Sequence, residues 1–124
     1  MTAKPPVVVA VVEDDGPSRT ALGRLLRAAG FEPALFESAE AYIDAAPAPP
    51  PTCIVVDVYL PGMSGIELQQ RLRAAGSAPP IIVTTSSHEA GMKERAEENG
   101  CAAFFWKPVD GNVLTATIAS LANR

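Results

Sequence analysis

Histidine is almost missing from this chain: among 124 residues only His88 carries an imidazole. That excludes a multi-histidine metal site and leaves a Ser-His hydrolytic triad without support. His88 itself reads as a solvated residue near a helix start and is given no role. Cysteine is nearly as scarce. Cys53 and Cys101 lie in apolar stretches with neither C-x-x-C spacing nor a histidine cluster beside them, so they are expected to be buried free thiols rather than metal or redox groups. The ten Lys and Arg are outnumbered by fourteen Asp and Glu, giving a net charge of -4. They are also scattered, so the clustered basic face that a nucleic-acid module needs is absent. No apolar run approaches the roughly 20 residues that span a bilayer, the longest being "VVVAVV" at 7–12. "MTAKPP" lacks a signal-peptide layout, and a cytoplasmic protein is expected. Three backbone cradles are missing as well: G-x-G-x-x-G, G-x-x-x-x-G-K-[ST] and G-x-S-x-G.

What the chain does have is apolar content, 48% of its residues. At this length that suffices for one core and one domain, 1–124. Short strand-like runs alternate with helix-like stretches: 7–12, 17–29, 32–36, 39–45, 53–57, 65–75, 81–85, 89–99, 102–106 and 111–122. Ala21, Leu22, Leu25, Leu26 and Ala29 recur at helical spacing, as do Leu114, Ile118 and Leu121. Gly30, Gly76 and Gly100 each follow a helical stretch, where a left-handed residue is wanted. The strands are continuously apolar, as in a parallel sheet covered on both faces; 32–36 is mixed and reads as an edge strand. The fold class is therefore α/β: a (βα)5 doubly wound parallel five-stranded sheet in a flavodoxin-like three-layer sandwich. "PAPPP" at 47–51 reads as a stiff spacer between a helix and the third strand.

In such a fold the functional crevice lies outside the carboxyl ends of the strands. Those ends are all polar here: Glu13, Asp14 and Asp15 after the first, Asp57 at the third, Thr85 with Ser86 and Ser87 at the fourth, Lys107-Pro108 at the fifth. Taken singly, Asp15 reads as a helix cap, Thr85 as a hydroxyl satisfying the backbone and Lys107 as a solvated charge. Together they put several carboxylates on one edge, which is stable only with positive charge among them. Magnesium fits, since it takes oxygen ligands and binds through a few carboxylates plus phosphate oxygens. Asp57 could then attack phosphorus to give an aspartyl phosphate, with magnesium and Lys107 offsetting charge and Thr85 bonding the phosphoryl oxygens. The Pro-Gly turn after Asp57 would let the backbone swing clear.

The strings "VVEDD", "VVDVYLPGMSGIEL", "IIVTTSS" and "FFWKPV", in that order and spanning about residues 7–122, resemble the receiver domain of two-component response regulators. The resemblance implies a magnesium-binding acidic pair at Glu13 and Asp14 and the phosphoacceptor at Asp57. It further implies a metal-binding backbone carbonyl at Tyr59, a switch hydroxyl at Thr85, an aromatic switch at Phe104 and the essential lysine at Lys107. Asp15, Ser86 and Pro108 take supporting places. Glu13 stands where Asp is commoner, and its longer arm could reach the metal through water. A bulky Tyr59 implies slower loss of phosphate. Trp106 either packs in the core or projects onto the face where the resemblance puts partner contacts.

The implied function is phosphorelay signalling: a histidine kinase or histidine phosphotransfer protein donates the phosphoryl group, Thr85 and Phe104 rearrange, and a downstream protein target reads the altered face. Neither direct nucleic-acid binding nor a membrane enters, and a phosphorylation-dependent dimer is an allowed outcome. The domain would not be an enzyme beyond its own phosphoryl transfer and dephosphorylation. The stretches "SRTALGRLLRAAGF" and "PGMSGIELQQRLRAAG" look most like receivers of the group that includes nitrogen-fixation and LuxR-type regulators. With no helix-turn-helix following the fifth helix, the chain is expected to be a stand-alone receiver or one excised from a longer regulator. Two rival readings fit the sequence less well. A phosphatase of the haloacid-dehalogenase type expects an Asp where Tyr59 stands, and a phosphorylation-silent flavodoxin-like binding module leaves the polar set at the strand ends without a purpose.

Overall fold

β-Branched side chains pack well on a pleated surface, and here they fill the central strands of one sheet. In the computed structural model, which describes residues 5–76 and 78–123, ten elements alternate. They are β1 (Val8–Val12), α1 (Gly16–Ala28), β2 (Glu32–Phe36), α2 (Ala39–Ala45), β3 (Cys53–Asp57), α3 (Gly65–Ala74), β4 (Ile81–Thr85), α4 (Met92–Glu98), β5 (Ala103–Trp106) and α5 (Gly111–Ala122). All neighbouring strands pair in parallel, in the order β2-β1-β3-β4-β5, which puts β2 at an edge as its mixed composition predicts.

Strand side chains alternate between the two faces, and each face has its own core. Val9, Val11, Cys53, Val55 and Ile82 pack with Leu26 of α1 and Leu114, Ile118 and Leu121 of α5. Ala10, Val12, Ile54, Val56 and Val83 pack with Tyr42 of α2, Ile66 and Leu68 of α3, and Met92 and Ala96 of α4. Coverage on both sides is the reason the strands lack polar alternation.

Four details depart from expectation. The buried stripe of α1 is narrower than its periodicity predicts, because Ala21 and Ala29 are exposed. Gly23 takes a place in it instead: a Cβ there would stand 3.3 Å from Leu35 of β2, so the helix lies close on its neighbour. α4 starts at Met92 rather than at 89, since Gly91 has φ of +83° and no side chain caps the helix. β5 starts at Ala103, one residue late. Cys53 is fully buried, and burial pushes its thiol up to about 11, whereas Cys101 is only half-buried.

Candidate functional site

Strand order reverses beside β1, which has β2 on one side and β3 on the other, so the loops leaving β1 and β3 diverge and open a crevice at their carboxyl ends. Glu13 follows β1 directly and is tied to the edge strand by its N–H, which donates to the Phe36 carbonyl (3.0 Å). Arg19 of α1 reaches back to donate to the carbonyls of Glu13 (2.8 Å) and Asp14 (3.3 Å), fixing the backbone of the acidic pair.

Asp57 ends β3 on the face of Cys53 and Val55. The chain then turns tightly into α3. Ser64 caps that helix in a reciprocal box with Glu67, and Glu40 of α2 accepts the Met63 N–H (2.9 Å). That bond holds the Glu40 carboxyl below its ordinary value. Gly65 sits against Asp57 itself: a Cβ there would stand 2.5 Å from the Asp57 carbonyl oxygen.

One oxygen from each of Glu13, Asp14 and Asp57 falls within 4.8 Å of the others. Lys107, from the end of β5, inserts its ammonium among them, 2.8 Å from Asp57 Oδ2 and 3.1 Å from Glu13 Oε2. Burial pushes the Glu13 carboxyl above its ordinary value, with Lys107 pulling the other way. Burial pulls the Lys107 ammonium down, but the hydrogen bonds and charges of Asp57 and Glu13 outweigh it and leave Lys107 above its ordinary value. Three carboxylates against one ammonium leave excess negative charge, in an all-oxygen set of the kind a hard divalent cation takes. The residues fit such an ion.

The remaining expected residues lie at varied distances from this cluster. Asp15 caps α1, accepting the Ser18 N–H (2.9 Å), which lowers its carboxyl below the ordinary value. Thr85 is fully buried and faces the α4 side; its hydroxyl accepts from the Ser87 N–H (3.1 Å) and makes no hydrogen bond to Asp57. Phe104 is half-buried on the same side, edge-on to Trp106. Trp106 is 42% exposed and so projects onto the surface rather than into the core. Tyr59 is 48% exposed; its N–H donates to Asp57 Oδ1 (3.2 Å) and its phenol donates to the Glu89 carboxylate. Ser86 and Pro108 line a groove of about 580 Å³ that runs from Glu13 and Lys107 over Leu22 and Leu25 of α1.

Three further residues at this edge had escaped sequence reasoning. Thr84 pairs with Asp57 in register and lines the groove, its hydroxyl donating to the Val56 carbonyl (3.4 Å). Its neighbour Thr85 masked it, and the period-two alternation of a strand was the available signal. Glu40 and Glu89 come from separate elements, and nothing local in the sequence marks them.

Comparison with known proteins shows the family. The family model described as response regulator receiver domain matches residues 9–119. The transcriptional regulatory protein FixJ of Bradyrhizobium diazoefficiens is 39% identical over 110 residues, covering 89% of this chain and 54% of that protein. Nodulation protein W of the same organism is 36% identical over 114 residues, covering 91% and 50%. The chain thus spans about half the length of these curated relatives. Among solved structures, the crystal structure of FixJ-N superposes with a TM-score of 0.88 at 30% identity, covering 98% of this chain and 97% of that one. A response regulator receiver protein from Burkholderia phymatum has a TM-score of 0.82 at 34% identity, covering 96% of each chain.

Proposed function

Since this chain belongs to the response regulator receiver domain family, we propose that Asp57 is its phosphoacceptor and that the strand-end cluster is the machinery for loading it. Residues 1–124 act as a single receiver unit. The observation that carries this reading is the ammonium of Lys107, held 2.8 Å from Asp57 Oδ2 while also touching Glu13. That cation stands where charge develops when a carboxylate oxygen meets a phosphoryl group.

In the transfer, a carboxylate oxygen of Asp57 forms a bond to phosphorus, and the bond from phosphorus to its donor breaks. With phosphohistidine as donor the leaving imidazole takes up a proton. With an acyl phosphate a carboxylate departs. Glu13, Asp14, Asp57 and the Tyr59 carbonyl would hold a magnesium ion, which when bound neutralises negative charge on the phosphoryl oxygens. Lys107, hydrogen-bonded to Oδ2, orients the Asp57 carboxylate. Thr85 then turns toward the new phosphoryl oxygens, leaving its Ser87 partner, and Phe104 fills the space it vacates. The surface around Trp106 changes with them and is read by a protein partner. Receivers of this family interact with histidine kinases and with downstream effectors. A cytoplasmic location suits both, and the domain acts as a signalling element rather than as an enzyme with an external substrate.

Incubation with acetyl phosphate and magnesium, followed by intact-mass measurement, tests this. The expected result is a gain of one phosphoryl group, absent in Asp57→Asn and in a chelated control. No gain, together with no beryllofluoride binding, overturns the reading.

A further inference from the structure

The segment 86–91, which joins β4 to α4, is held from both sides by exposed aromatic side chains. β4 lies between β3 and β5 in the sheet, so the segment is flanked by the loop after β3 and by the end of β5. From the β3 side, the Tyr59 phenol donates to the Glu89 carboxylate. From the β5 side, the Trp106 indole stacks on His88, with ring centroids 5.7 Å apart and planes 11° from parallel. Lys93, near the start of α4, places its ammonium 5.7 Å from the same indole centroid. The segment's own hydrogen bonds are local: the Ser87 N–H bonds Thr85 Oγ1 (3.1 Å), the Glu89 N–H bonds Ser87 Oγ (3.2 Å), and the Glu89 and Gly91 carbonyls accept from the N–H groups of Met92 (3.3 Å) and Arg95 (3.0 Å). The helix it leads into has no side-chain cap.

The Ser87 to Thr85 hydrogen bond gives these contacts a consequence. While the segment keeps its place, the Thr85 hydroxyl is engaged by Ser87. Thr85 Oγ1 accepts this bond, so turning the side chain toward a group on Asp57 gives it up and leaves the Ser87 N–H without that partner unless the segment shifts. We infer that Tyr59 and Trp106 form a two-point latch on the β4–α4 segment, so that the latched state and the loaded state of Asp57 compete. This rests on the proposed reading of Asp57 as phosphoacceptor. A state that must first open binds its ligand more weakly by the fraction open. Loosening either point therefore favours loading.

Tyr59→Phe removes one hydroxyl and keeps the backbone carbonyl, and His88→Ala removes the stack from the other side. Amide hydrogen exchange without ligand is expected to speed up over 86–91 in each variant, most in the double variant, with β1 and β3 unchanged. Titration with beryllofluoride and magnesium, followed through the fluorescence of Trp106, the sole tryptophan, is expected to show binding tightened by roughly three- to tenfold. A merely damaged site would bind more weakly. Unchanged exchange over 86–91 in both variants overturns the latch, whether or not beryllofluoride binds. Faster exchange with unchanged or weaker binding overturns the competition while leaving Asp57 as acceptor. No binding by wild type or by any variant overturns the competition, and joined to no phosphoryl gain from acetyl phosphate it overturns the phosphoacceptor reading as well.

Discussion

Lys107 satisfies two carboxylates with one ammonium, and its own exposure is moderate, at 29% of the side chain. Replacing it by Met keeps the apolar stem and removes the charge, leaving Glu13 and Asp57 facing each other part-buried. Metal-free Lys107→Met is expected to lose about 1–2 kcal/mol at pH 7 in urea unfolding, below the cost of breaking a fully buried pair because water screens this one. The loss depends on pH with a definite sign. Burial raises the Glu13 carboxyl above its ordinary 4.5, so its protonation contributes stability that is complete below 4.5 and is lost as pH rises through the folded value. Without Lys107 that folded value rises further, and a protonated Glu13 relieves the repulsion. The variant's deficit should therefore be smaller at pH 5 than at pH 7, and an equal deficit at both would refute the account. Much of this cluster was legible in the sequence, because a parallel sheet brings every strand's carboxyl end to one edge, so Glu13, Asp14, Asp57 and Lys107 could be grouped without coordinates. Thr84 was not, since two adjacent threonines occupy opposite faces and only the register says which one accompanies Asp57.

At the scale of elements, five strands and five helices were readable because apolar runs and amphipathic stretches differ in period, and the capping residues Asp15, Ser38, Ser64 and Asp110 sit where helices begin. The start of α4 was not readable, since Gly91 provides a backbone turn and no side-chain signal. The β3–α3 connection shows how an element boundary serves the site. Ser64→Ala should cost about 1 kcal/mol, the ordinary value of a lost cap, with little change in phosphoryl uptake. Gly65→Ala is a different kind of change. Its Cβ would meet the Asp57 carbonyl oxygen at 2.5 Å and the Val58 Cα at 3.1 Å, backbone atoms that cannot swing aside. The acceptor must move instead. Uptake from acetyl phosphate is expected to fall on the order of tenfold or more, since small displacements of a reacting group are costly. The two variants, compared by chemical denaturation and by uptake rate, separate lost stability from lost positioning. Equal uptake in both would show that Gly65 does not set the place of Asp57.

Over the whole molecule, the cluster exists only when β1, β3 and β5 lie in one sheet, so its charge is coupled to global unfolding. Three carboxylates and one ammonium make the folded state store repulsion that the unfolded chain relaxes. Two opposite effects follow for Asp57→Asn. Without divalent metal the variant has less repulsion and should melt slightly above wild type, while Lys107 still pairs with Glu13. With magnesium the order should close or reverse, because the proposed ion loses a carboxylate. An ion that binds only the folded chain stabilises it by about 1.4 kcal/mol at tenfold excess over its Kd, roughly 3–6 °C in Tm for a domain of this size. Wild type should show that increment and the variant much less. Thermal melts of both proteins, chelated and across a magnesium series, check this, and equal increments would mean that the ion is not held by Asp57. A rise for wild type alone would tie the stability of all five strands to the same carboxylates that the proposed chemistry uses.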